Sequence, residues 1–253
     1  MKIAILGLGE AGSHFANDLV KMGINVSGWD PDLRKTLDPN ISFAADNTAA
    51  IKDANIIFSV NYASEAKSVA QEVLPHLKQD QVYCEMNTAS PATKKQVAKI
   101  LEPAGIHFVD VAIMAPVPSK GINVPFLASG EGAPLLANLL APYHLSLTIL
   151  KAGTGEAARR KLLRSIVYKG VAAVICEAVE AGQKLQLEGY IRSEITSILA
   201  IDNQLVDRFI EGSQEHAKRR FQEMQEVVAM LECEGLSSHM SQGAMHNLER
   251  YVN

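Results

Sequence analysis

The opening of the chain constrains its fold more than any other stretch. Lys2–Leu6 is an apolar run of strand type, and Gly7-Leu8-Gly9-Glu10-Ala11-Gly12 follows at once in the pattern G-x-G-x-x-G. Ser13–Met22 then carries apolar residues at helical spacing. The glycine pattern alone is common, but between a strand and a helix each glycine has a physical task. Gly7 permits a tight turn, Gly9 lets a phosphate approach the main chain, and Gly12 lets the helix lie close on the strand. The N–H groups at the helix start face the anion. Gly7, Leu8, Gly9, Glu10, Ala11 and Gly12 therefore form a candidate site for a dinucleotide.

The rest of the first half repeats the alternation. Strands are expected over Lys2–Leu6, Asn25–Trp29, Asn55–Val60, Gln81–Glu85, His107–Ile113, Val124–Ser129 and Leu145–Leu150, with helices over Ser13–Met22, Ser64–Leu74, Pro91–Leu101 and Ala133–Leu140. Ser90-Pro91 is a good helix start, Ser as N-cap and Pro in the first turn. Alternating strands and helices argue for a mostly parallel sheet. Beyond Gly153 no strand pattern remains. A long helical pattern covers 156–187, and further helices are expected over Ile191–Ile201, Asp202–Ile210, Gln214–Glu232 and Met240–Tyr251. The expected fold is an α/β Rossmann N-terminal domain, residues 1–152, followed by an all-α C-terminal domain, residues 153–253.

Asp30 ends the second expected strand, eighteen residues after Gly12. A carboxylate there accepts hydrogen bonds from ribose hydroxyls and repels a 2′-phosphate. Arg34 is near enough in sequence to attract that phosphate, so NAD is expected and NADP stays open. The net charge of −4 gives no sign of a nucleic-acid partner. Cys84, Cys176 and Cys233 stand far apart, without metal or redox spacing, and read as buried small apolar residues. No metal site is expected, and no membrane span: Gly130, Glu131, Gly132, Pro134 and Pro142 interrupt the Leu- and Ala-rich stretch from 126 to 150. A cytoplasmic location follows as the expectation.

Further segments resemble the β-hydroxyacid dehydrogenase family, which includes 6-phosphogluconate and 3-hydroxyisobutyrate dehydrogenases. Asn87-Thr88-Ala89-Ser90-Pro91-Ala92-Thr93 is similar to the family's D-x-S-T-x-S-P-x-T segment, and Gly155-Glu156-Ala157-Ala158-Arg159-Arg160-Lys161 to its lysine motif. Tyr168-Lys169-Gly170 and the run His216–Met224 resemble a branch with a reduced helical C-terminal domain. The resemblance implies that Asn61 and Thr88 border the cofactor and that Lys161 transfers a proton. Ser165 stands where the family has Asn. The family's loop D-x-P-V-S-G-G corresponds to Asp110-Val111-Ala112-Ile113-Met114-Ala115-Pro116. Met114 and Ala115 thus replace groups that offer a carboxylate a hydroxyl and N–H groups, and Pro116 has no N–H.

Lys161 and Ser165 are four residues apart and share a helix face. Lysine serves as acid or base when burial or neighbouring cations lower its pKa, and Arg160 and Arg164 are close in sequence. By pattern alone, Arg159, Arg160, Lys161 and Arg164 also fit a solvated basic stripe. Arg164, Arg219 and Arg220 are candidates for an anionic substrate group, while Arg219 and Arg220 equally fit an exposed face paired with Glu215 and Glu223. The implied activity is hydride transfer to or from a small acidic hydroxy or oxo compound. Imine reduction and a non-catalytic dinucleotide sensor are the alternatives. The apolar stripe of Val171, Val174, Ile175, Ala178 and Val179 covers too much of one helix for a single partner, which points to a homodimer.

Overall fold

The computed structural model describes residues 1–252 and forms two compact units, divided between Lys161 and Leu162. The first unit runs β1 (Lys2–Leu6), α1 (Glu10–Lys21), β2 (Asn25–Trp29), β3 (Ser42–Phe43), α2 (Asn47–Ala50), β4 (Ile56–Ser59), α3 (Ala66–Val73), β5 (Val82–Glu85), α4 (Pro91–Leu101), β6 (His107–Ile113), β7 (Phe126–Ser129), α5 (Ala133–Leu140) and β8 (Leu147–Ile149). These strands form one sheet in the order β3-β2-β1-β4-β5-β6-β7-β8, parallel except for the β6–β7 pair. Leu6 pairs with Trp29 on one side and Ser59 on the other, so three strand ends lie level. The order reverses between β1 and β4, and such a reversal opens a crevice at the carboxyl ends of the strands.

Both faces of the sheet are covered, so β1 is apolar at successive positions instead of alternating. Ile3 and Ile5 face a core with Phe15 and Leu19 of α1, while Ala4 and Leu6 face Ala70, Val73, Val97 and Leu101 on the other side. Full burial of a side chain of the Phe15 or Leu19 type contributes about 1.5–3 kcal/mol. The close approach of α1 depends on Gly12, since a Cβ there would lie 1.9 Å from the Gly7 carbonyl oxygen. Any side chain at position 12 would separate helix from strand.

The expected α/β architecture is present, with local differences. The two-residue β3 and the four-residue α2 carry too few residues to show a period. Helix α1 begins at Glu10, three residues early, because Gly9 itself is the N-cap. β7 runs antiparallel because the chain from Met114 to Pro125 contains only one helical turn, Gly121–Asn123, and no crossover helix.

The second unit contains most of α6 (Glu156–Lys184), then α7 (Glu188–Leu199), α8 (Asn203–Glu215), α9 (Ala217–Cys233) and α10 (His239–Glu249). The division falls after Lys161, not at Gly153, because the start of α6 packs with the sheet: Ala157 joins Ala112 and Leu150 in a small core. Within the helical unit, Leu162, Met224, Val227 and Leu248 form one core, and Ile175, Val179, Ile195, Val206 and Phe209 another. Ile175 and Val179 are therefore buried by the unit's own helices, against the expectation that the stripe lacks cover. Val174 of that stripe is exposed, and so are Leu163 and Val167 on α6. Cys84 and Cys176 are buried, but Cys233, the last residue of α9, is exposed, because the buried face of that turn is taken by Met230 and Leu231.

Candidate active site

The glycine turn is shaped by sterics. Gly7 has φ +102°, and a Cβ there would sit 2.4 Å from the Val60 carbonyl oxygen and 3.2 Å from the Asn61 Cα. Gly9 is exposed, with nothing within 4 Å of a Cβ position. No side chain caps α1, so the N–H groups of its first turn point outward, beside open space, as a phosphate requires. Glu10 and Ala11 are half-buried in that first turn. The Leu8 side chain is fully buried in the core, leaving only its backbone at the site. Its N–H donates to Asp30 Oδ2 at 2.7 Å, and the Asp32 N–H donates to Asp30 Oδ1 at 2.9 Å. Asp30 is thereby fixed beside the glycine turn with acceptor capacity left for ribose hydroxyls.

A row of polar groups continues along the same sheet edge. Asn61, after β4, accepts from Asn87 Nδ2 at 2.8 Å. Asn87 is buried, and its Oδ1 has no hydrogen-bond partner among the described residues. An acceptor in that condition fits an outside N–H donor, such as a carboxamide. The next residue, Thr88, accepts from Lys161 Nζ at 2.6 Å. The structure thus brings together Gly7, Asn61, Thr88 and Lys161, which are far apart in sequence.

A charge cluster that sequence reasoning missed lies beneath this row. Lys94, on the first turn of α4, is 1% exposed and contacts Glu85 Oε2, with Asp110 Oδ1 at 3.4 Å; both carboxylates are 0% exposed. Lys94 Nζ also donates to the Glu85 carbonyl at 2.7 Å. Asp110 Oδ2 accepts from Ser129 Oγ at 3.0 Å and from the N–H groups of Gly155 and Ala158, each at 3.1 Å. A strand carboxylate therefore caps the helix that carries Lys161. Burial pushes the Glu85 carboxyl above its ordinary range, and the Lys94 ammonium pulls it back. The available signal was an acid closing an apolar strand and a lysine on the apolar face of α4 with Val97 and Leu101.

The loop after β6 is fastened to α1. Asp18 Oδ2 accepts from the Ile122 N–H at 3.0 Å, and a Cβ on Gly121 would sit 1.9 Å from that oxygen. Met114 and Ala115 are half-buried at its start, and the Met114 N–H donates to the Pro125 carbonyl at 2.9 Å. That N–H is committed to the chain itself.

Ser165 belongs to a different cluster than expected. It is buried and donates to Glu223 Oε1, which also accepts from Lys169 Nζ at 2.6 Å. The pairing arises because α9 places Glu223 against this face of α6. Burial lowers the Lys169 pKa, and Glu223 opposes that shift. Arg220 is buried too, 9% exposed, so it is not on a solvated face. Its guanidinium donates to Ser213 Oγ at 3.0 Å and lies 5.6 Å from the Tyr168 ring centroid. Glycine at 212 makes the room, since a Cβ there would meet the guanidinium at 2.5 Å. Arg219 and Arg164 are exposed, and Arg164 lies 6.0 Å from the same ring.

Comparison with known proteins agrees with this geometry. Residues 2–117 match the NAD binding domain of 6-phosphogluconate dehydrogenase, and residues 183–251 match a domain of unknown function, DUF1932. The two matched segments cover different parts of the chain, and the chain as a whole shares the fold of 3-hydroxyisobutyrate dehydrogenase structures. An uncharacterized 28.5 kDa protein of Methanothermus fervidus is 27% identical over 90% of this chain and 89% of its own length. Human mitochondrial 3-hydroxyisobutyrate dehydrogenase is 29% identical over 78% of this chain, which spans only 61% of that enzyme. Among solved structures, the Mycobacterium tuberculosis 3-hydroxyisobutyrate dehydrogenase with L-serine superposes with a TM-score of 0.81, 16% identity, and 99% and 93% coverage. An imine reductase of Myxococcus stipitatus with NADP+ gives 0.63, 16% identity, and 100% and 94% coverage. No helix among the described residues is long and apolar enough to cross a membrane.

Proposed function

We propose that this protein is an NAD-dependent oxidoreductase acting on a small acidic hydroxy or oxo compound, with Lys161 as the group that moves the proton. The observation that carries the reading is the hydrogen bond from Lys161 Nζ to Thr88 Oγ1, at the end of the polar row that begins at Gly7 and passes Asn61. A bound nicotinamide ring supplies or accepts the hydride. The chain's own part is to hold the cofactor and handle the proton. Gly9 and the uncapped start of α1 receive the pyrophosphate, Asp30 the adenosine ribose, and the Asn87 carbonyl a carboxamide donor. Lys161 delivers its ammonium proton to the substrate oxygen in reduction and withdraws it in oxidation. Thr88 holds the amine in place and shares its proton through the hydroxyl. The Lys94–Asp110 contact supports the start of α6, so Lys161 is held from a rigid element.

Imine reduction is the second reading. It is favoured by Met114-Ala115-Pro116, where the Met114 N–H is already committed and Pro116 has none to give a carboxylate. The test is to load the protein with NADH or NAD and assay matched panels of hydroxy acids, oxo acids and cyclic imines, beside Lys161→Ala. Turnover of an acid that falls at least about a hundredfold in Lys161→Ala supports the reading. Turnover of imines alone, or a rate that survives the substitution, refutes it.

A further inference from the structure

We propose that Asp110, with Ser129 beside it, is the positioning residue for Lys161: a buried carboxylate that closes the first turn of α6 from the sheet and so holds the amine at Thr88. The inference deepens the reading above, in which Lys161 moves the proton, and every residue in it belongs to the first unit.

Glu85, Asp110 and Ser129 form one row across β5, β6 and β7, since Glu85 pairs with Asp110 and Asp110 with Ser129. Paired positions on neighbouring strands send their side chains to the same face. All three residues are fully buried, and buried polar groups need partners. The start of α6 supplies them. The N–H groups of Gly155 and Ala158 donate to Asp110 Oδ2, and that of Ala157 donates to Ser129 Oγ. Ser129 in turn donates to Asp110 Oδ2. The first donors of a helix are commonly met by the side chain of the residue just before it. Before α6 that residue is Gly155, which has none, so the cap comes from two strands instead.

The two oxygens of Asp110 have separate tasks. Oδ2 faces the three donors at the start of α6, while Oδ1 faces Lys94 Nζ at 3.4 Å. A carboxylate serves both sides because it accepts at either oxygen, whereas an amide presents N–H groups at one end. Little of the helix separates this cap from the amine, since Lys161 is three residues past Ala158, under one turn. The turn into α6 is also pressed against the start of α4. Gly155 has φ +101°, and a Cβ there would stand 3.1 Å from Pro91 Cβ. Thr88 lies three residues before that proline. Asp110 thus acts on Lys161 through the helix, by fixing where its first turn sits beside the Thr88 segment.

Full-length wild type, Asp110→Asn and Ser129→Ala are treated with N-acetoxysuccinimide, and acetylation of Lys161 is read by peptide mass spectrometry against the exposed Lys67. Asparagine keeps the shape of the side chain, and Ser129→Ala is the milder loss. Lys161 released from Thr88 acetylates about tenfold faster in Asp110→Asn, the equivalent of about 1.4 kcal/mol. Ser129→Ala gives a smaller rise. Val73→Ala, which truncates a buried residue of α3 outside the row, gives none. With an acid that turns over in the panel above, Asp110→Asn lowers kcat at least about tenfold, because a displaced proton-transfer group is out of reach. Its NADH affinity by calorimetry is unchanged, and it costs nothing further in the Lys161→Ala background. Acetylation of Lys161 at the wild-type rate in Asp110→Asn overturns the proposal. So does an equal rise in Val73→Ala, or a full loss of kcat from Asp110→Asn when Lys161 is already gone. A wild type that turns over no compound overturns the functional reading instead, and the acetylation rates then decide the positioning by themselves.

Discussion

Lys94→Met is the substitution whose outcome the structure fixes most closely. Lys94 is 1% exposed, between two carboxylates that are 0% exposed. Methionine keeps most of the volume of the lysine stem, so the loss comes from charge and not from a cavity. Breaking a buried ion pair by removing one partner costs about 3–5 kcal/mol. That is a large share of the ~5–15 kcal/mol that stabilises a typical domain. With a urea slope of about 2 kcal/mol per molar, the unfolding midpoint falls by about 2 M. Trp29, the only tryptophan, ends β2 and reports the first unit by its fluorescence. The loss also depends on pH. Glu85 is raised by burial, and Lys94 is what pulls it back. Without Lys94 it rises further. A carboxyl raised in the folded state is ionised first in the unfolded chain. Its folding contribution is therefore whole below the ordinary carboxylate range and is lost as pH rises toward the raised value. The Lys94→Met deficit is accordingly larger at about pH 8 than at about pH 5. Glu85→Gln added to Lys94→Met recovers much of it, because no uncompensated acid is left at that position. A midpoint shift below about 0.5 M, or a deficit that grows on acidification, would refute the reasoning.

Other outcomes follow from the same geometry. Gly9→Val abolishes binding of NADH and NADPH while lowering folding stability by only about 1 kcal/mol, the cost of a poorer N-cap, because its side chain enters space that is open in the protein but, under the proposed function, needed by the pyrophosphate; retained binding by calorimetry would contradict this. Lys161→Arg restores less than about a tenth of the activity lost in Lys161→Ala, since guanidinium does not release a proton at working pH. Light scattering at micromolar concentration gives a homodimer, and Val167→Asp with Val174→Asp gives a monomer, because these exposed residues and Leu163 share one face of α6; a monomeric wild type would end that idea.

The parts legible in the sequence are those with local causes. A strand, three glycines and a helix start at consecutive positions define the dinucleotide turn without help from the rest of the chain. Lys161 and Thr88 were singled out through resemblance, though nothing in either segment shows that they touch. The Glu85–Lys94–Asp110 cluster was not legible, because its members come from β5, α4 and β6 and meet only when the sheet forms. Ser165 shows the converse error. Its helical spacing from Lys161 is real, but Glu223, far along the chain on α9, takes its hydroxyl. Arg220 looked like part of a charged surface because its own helix is polar around it. Its burial depends on Tyr168, Gly212 and Ser213, which belong to other helices.

The Asp18 clasp has a kinetic consequence. The stretch from Met114 to Pro125 is closed at its ends by one backbone bond, and Ile122 and Val124 within it are fully buried. Asp18 ties it, through Ile122, to α1, the helix that follows the glycine turn. That bond restrains the stretch from moving independently of α1. Under the proposed function, a small molecule arriving there meets a surface already fastened in place, so any selection by Met114 and Ala115 acts at first encounter. Slow closure of this stretch between collision and chemistry is then not expected, and rejected compounds would leave as fast as they diffuse.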